Sequence, residues 1–129
     1  MLGALSGGLA APAARSGVIA GEAGRFSDLA ARRITGDMLS PHHMPQVALG
    51  FTTRAEGGAL VMTEAEHALT RTFSSRGIAT ARAEVGMSFR DVLARDIRDV
   101  RQIVGPKYDQ GLRDLLGYYY DNFPQLMRK

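Results

Sequence analysis

The sequence has no cysteine and no tryptophan among its 129 residues. Without cysteine there can be no disulfide, no thiolate zinc site and no cysteine nucleophile. A deaminase centre, which holds zinc through paired cysteines, is excluded as well. Lysine is nearly missing: of 16 basic residues only Lys107 and Lys129 are lysine, and the other 14 are arginine. No apolar run nears the ~20 residues that span a bilayer. Hydrophobic residues make up 45% and charged residues 22%, a globular composition. The length suits one domain of the usual ~100–200 residues.

The net charge is +3 and the pI about 9.7. Arginine makes forked contacts with phosphate and carboxylate, so an arginine-rich basic chain fits a nucleic-acid partner. The same composition also fits an ordinary solvated surface, and placement must decide between the two.

Residues 1–24 are almost entirely Gly, Ala, Ser and Leu. Small residues pack a core poorly, and the segment reads as a flexible linker or tether, with a weak helix over 8–20 as the alternative. It lacks the basic n-region of a secretory signal. The folded domain is expected over 25–129. Ser27 caps a short helix with Leu29 and Ile34 inward, and Gly36-Asp37 is a turn. Residues 42–51 read as a strand interrupted by Pro45, Gly57-Gly58 as a turn, and 59–62 as a short apolar strand. Thr63-Glu64-Ala65-Glu66 fits a capping box opening a helix expected to reach Phe73. Another short helix is expected over 78–86.

The last third is strongly helical. Ser88 is a good N-cap, and Phe89, Val92, Leu93, Ile97, Val100, Ile103 and Val104 form an apolar stripe ended by Gly105-Pro106. A final helix over 108–121 turns Leu112, Leu115, Leu116 and Tyr119 inward. Tyr118, Tyr119 and Tyr120 must point three ways, so core and rim positions suit them better than a base-stacking platform. The expected fold is α+β and mostly helical: a small hairpin plus helix, followed by C-terminal accessory helices.

Three histidines carry the chemistry. His42 and His43 are adjacent, and His67 lies in the first turn of the capped helix. Neighbours on a strand face opposite ways, so His42 and His43 cannot both ligate one ion from a regular strand. One can serve a metal while the other serves a substrate phosphate, a division that suits metal-assisted phosphodiester hydrolysis. A hairpin followed by a helix brings His67 back beside His42. The competing reading is a solvated loop pair and a surface helix residue.

The run Gly36-Asp37-Met38-Leu39-Ser40-Pro41-His42-His43-Met44-Pro45, followed by Met62-Thr63-Glu64-Ala65-Glu66-His67-Ala68-Leu69-Thr70-Arg71-Thr72, resembles the HNH/endonuclease VII superfamily. More narrowly, it is similar to the His-His nuclease domains at the C-termini of bacterial polymorphic toxins. The motif covers residues 36–72. The resemblance implies a ββα-metal core over about 36–73 and accessory helices over about 78–129. It implies His43 as general base, and His42 and His67 as ligands of one divalent ion (zinc, nickel, manganese or magnesium). Many members place a further ligand one turn after the helical histidine; here that position is Arg71, which cannot ligate. Glu64, three positions before His67, is the candidate to complete the site. Arg71 and Arg76 are the candidates to grip nucleic-acid phosphate. The resemblance further implies an endonuclease, with DNA the expected substrate, forming the toxic end of a secreted effector that acts in a target cell's cytoplasm. A cognate immunity protein, acidic to match this basic chain, is the implied partner. The reading from another class is a non-catalytic arginine-rich domain that binds nucleic acid or protein.

Overall fold

The computed structural model describes residues 17–128. The one continuous apolar run of the middle region forms the central strand. That strand, β3 (Gly58–Thr63), lies between β1 (Ala23–Arg25) and β2 (Leu39–His43), both antiparallel to it. Side chains alternate across a strand. Ala59 and Val61 therefore face one side, with Val18, Leu29, Phe26 and Leu39 around them. Leu60 and Met62 face the other, in the main core with Phe89, Leu93, Leu112, Leu115 and Tyr119. The first side is covered by α1 (Phe26–Ala31). The second is covered by α4 (Phe89–Val104) and α5 (Asp109–Asn122). Between sheet and α4 come α2 (Glu64–His67) and α3 (Ser75–Ala83). The fold is α+β and mostly helical, with a small antiparallel sheet and long C-terminal helices.

Local signals set several boundaries. Thr63 Oγ1 accepts from Glu66 N–H at 3.1 Å, and Glu66 Oε1 accepts from Thr63 N–H at 3.0 Å, so the capping box is formed. Ser88 accepts from Asp91 N–H and opens α4. Asp37 orders its turn by accepting from Leu39 N–H. The Gly105-Pro106 stop becomes a 3-10 turn, Gly105–Tyr108, leading directly into α5.

Four expectations need correction. The tether does not extend through residue 24. Val18 is buried, residues 21 and 22 pair with Val61, and β1 adds a third strand. Arg32 binds both the Glu22 carboxylate and the Gly17 carbonyl, tying this segment to α1. Residues 1–16 lie outside the described residues. Second, α2 stops at His67, not Phe73. Thr70 Oγ1 donates to the His67 carbonyl and Arg76 donates to the carbonyls of Ala68 and Thr70, which takes these acceptors out of any helical ladder. The next helix accordingly starts at Ser75. Third, α1 is capped at Arg25 without a side-chain bond, and Ile34 is half exposed beyond the helix end. Fourth, β2 begins at Leu39 and ends at His43, before a cis Met44–Pro45 bond.

The end of the β2–β3 pair is held by α5. Tyr119 is fully buried, accepts from Gly58 N–H at 2.8 Å and donates to the Met44 carbonyl at 2.7 Å. Tyr118 donates to the Glu56 carbonyl at 2.5 Å. Gly58 must be glycine here, because a Cβ would lie 2.8 Å from the Tyr119 ring. Tyr119→Phe strands a buried donor and a buried acceptor, each beside His43 or its strand partner. It should destabilise the fold by about 1–3 kcal/mol in urea denaturation. An unchanged midpoint and slope would show that the hydroxyl bridge contributes nothing.

Candidate active site

β2 is an edge strand, and this decides how its histidines are used. Ser40 and His42 lie on the face toward α2, whereas His43 lies on the face toward α1. His67, the last residue of α2, meets the first face. Its Nδ1 is 2.9 Å from Ser40 Oγ, and its ring centroid is 5.0 Å from that of His42. On the second face the His43 ring stacks on Phe26 at 4.1 Å. A cleft of about 390 Å³ wraps the free edge of the strand and is lined by all three histidines. Residues facing opposite ways thus reach one space because the strand ends there.

Each imidazole is held neutral. His42 is buried, and burial, reinforced by its neighbours His67 and His43, holds its pKa down at about 3. Burial also lowers His67, with His43 adding to the effect. For His43 burial lowers the value, a bond to the Arg54 carbonyl opposes this, and the Arg54 cation lowers it further. That bond, 2.9 Å from Nε2, has a carbonyl as partner, which can only accept. Nε2 therefore carries the proton and Nδ1 keeps the lone pair. A base with a pKa below its ordinary 6.5 is unprotonated at neutral pH.

The donor set fits a divalent ion through two imidazoles. Neutral imidazole is the form a metal needs. With metal–nitrogen bonds of about 2.0–2.1 Å, two imidazoles on one tetrahedral ion have ring centroids roughly 5 Å apart. His42 and His67 stand at that separation. Glu64 does not join them: it is exposed on the opening turn of α2 and does not line the cleft. With α2 only four residues long, its start faces solvent and only its end reaches β2. Among the described residues no cluster of three or more His, Asp or Glu is arranged to hold a metal.

The two arginines expected at the site are engaged elsewhere. Arg71 is paired with Glu84 and Asp96, and its backbone N–H donates to Asp99. Glu84 and Asp96 are each only 1% exposed, so Arg71 is the counter-charge of a buried carboxylate pair joining α3 and α4. Arg76 spends its donors on the carbonyls after α2 and lies over Phe73. Neither lines the cleft. The cleft instead holds Arg33, just after α1, and Arg54, in the segment 44–57 between β2 and β3. Sequence spacing carried no signal for either, since both arrive through tertiary folding. No aspartate or glutamate lines the cleft. Compared with protein-family models, curated proteins and solved structures, the chain matches none.

Two predictions follow from the Arg71 cluster. Arg71→Ala leaves buried Asp96 without its cation and Glu84 with only the more exposed Arg95, and should cost about 3 kcal/mol of stability, read by denaturation. Loss of nucleic-acid affinity without loss of stability would restore Arg71 as a ligand contact. Burial, ahead of the opposing pull of Arg71, raises the Asp96 carboxyl from 3.8 to about 7. The folded protein then keeps a proton that the unfolded chain releases, so this group's contribution to stability falls as pH rises from about 4 to about 7. Wild type should lose stability relative to Asp96→Asn over that range; an unchanging difference would mean that Asp96 is ionised throughout.

Proposed function

We propose that this chain is a metal-dependent endonuclease of the HNH/endonuclease VII kind, acting on DNA as the toxic domain of a larger bacterial effector. The observation that carries the reading is the convergence of His42, His43 and His67 on one carboxylate-free cleft, with the lone pair of His43 assigned to Nδ1 by the Arg54 carbonyl. The order of residues 36–72, which resembles that superfamily, supports it independently.

The chemistry divides among the residues. His42 and His67 would hold the divalent ion, which when bound supplies charge stabilisation at the phosphate and the leaving oxygen. Nδ1 of His43 takes a proton from water. The water oxygen forms a new bond to phosphorus while the ester P–O bond breaks, and the departing oxygen takes a proton from solvent. The Arg54 carbonyl holds the imidazole in the tautomer this step needs. Phe26 holds its plane by stacking. Burial keeps His43 unprotonated at neutral pH, so activity should hold between pH 7 and 8 and fall only below pH 6.5, where this base takes up a proton.

A nuclease that attacks its maker's chromosome needs an inhibitor before delivery. The proposed partner is an acidic immunity protein that covers this positively charged cleft, with charge complementarity speeding association.

The test is plasmid DNA with zinc, nickel, manganese or magnesium, with and without chelator. The expected result is metal-dependent nicking. His43→Ala should lower the rate by ~10²–10⁴-fold with the fold intact. His42→Ala and His67→Ala should each weaken metal binding in calorimetry, and the double variant should be little worse than either, since both build one site. Activity of His43→Ala within about threefold of wild type would overturn the base assignment. Binding of DNA without cleavage under any metal would favour the non-catalytic reading.

A further inference from the structure

We propose that Arg33 and Arg54 form a phosphate clamp in the histidine cleft, one that takes the phosphodiester backbone of a polynucleotide chain. The inference rests on reading the cleft as a phosphodiester site.

Charge segregation is the first argument. Several acidic groups are committed within the fold: Glu22 to Arg32, Glu66 to Thr63, Lys107 and Tyr108, and Glu84 and Asp96 to Arg71. Arg33 and Arg54 line the cleft and make no ion pair among the described residues, and no carboxylate lines the cleft to neutralise them. Two guanidinium groups with no carboxylate beside them in the cleft attract an anion.

Their mounting is the second argument. Arg33 follows Arg32, whose guanidinium is locked to Glu22 and Gly17, and its own backbone N–H donates to the Ala30 carbonyl. Arg54 lies over the Phe26 ring at 4.8 Å, while its carbonyl binds His43. A guanidinium stacked on a ring still directs its N–H donors outward in its own plane, the geometry for a forked contact with phosphate. Both cations are carried on anchored backbone, and the ring of Phe26 further orders the Arg54 guanidinium.

Their places divide the work: Arg54, whose carbonyl binds His43, would meet the scissile group, and Arg33, carried on a separate segment, the chain beside it.

The experiment is fluorescence anisotropy with a labelled single-stranded DNA 12-mer, in chelator, over a range of KCl concentrations. Arg33→Gln and Arg54→Gln should each reduce the slope of log affinity against log salt by about 0.7, the share of one phosphate contact on a single strand. Each should weaken binding about tenfold or more. Arg82→Gln and Arg98→Gln, at exposed arginines outside the cleft, should leave the slope unchanged. Unchanged slopes in both clamp variants, or equal losses in the control variants, would overturn the clamp. Failure here is separable from failure of the hydrolysis reading. Reduced slopes in a protein that cuts no DNA under any metal leave the clamp standing and remove the nuclease. Cleavage with unaltered slopes does the reverse.

Discussion

β3 is buried on both faces, and the rest of the fold answers that constraint. A strand whose alternate side chains are all apolar cannot have a solvated side, so helices must cover it twice. Here α1 covers Ala59 and Val61, and α4 with α5 covers Leu60 and Met62. A covered central strand needs partners on both edges as well, since its own N–H and C=O groups are buried. β1 and β2 provide them. The histidines inherit their positions from this arrangement: two sit at the end of an edge strand, and the third sits where the chain leaves β3 and turns back.

The same packing fixes the electrostatics. Burying Glu84 and Asp96 behind the α3–α4 contact requires a counter-charge, and Arg71 is drawn inward to supply it. Glu66 is consumed by its cap and by Lys107 and Tyr108, which hold its carboxyl low, at about 2, against the opposing effect of burial. With these carboxylates neutralised within the fold, the cleft is left with imidazoles and two guanidinium groups. The Tyr118 and Tyr119 hydroxyls connect the C-terminal helix to the backbone around that cleft, at Glu56, Met44 and Gly58. α5 therefore acts on the site from behind, through backbone position.

Short-range physics was legible in the residues. The capping box at Thr63, the Ser88 cap, the Asp37 turn and the apolar stripe of α4 each depend on neighbours within about one helical turn, and each formed. The opposition of His42 and His43 followed from strand geometry alone. Asp96 was hidden in the α4 pattern. It sits on the buried face among apolar residues, and nothing local distinguishes a carboxylate with a distant counter-charge from one in solvent.

What the sequence determined by itself was the local caps and turns, the opposite facing of two adjacent histidines, and the return of His67 toward His42. Tertiary structure alone decided which charged groups share their cleft. Arg33 and Arg54 come from segments 21 residues apart in numbering, while Arg71, four residues from His67, is drawn away by carboxylates at 84 and 96. Local pattern reports hydrogen bonds and apolar faces, which act over a few residues. The destination of a charge depends on which opposite charge is buried without a partner, and that is settled only when distant segments meet.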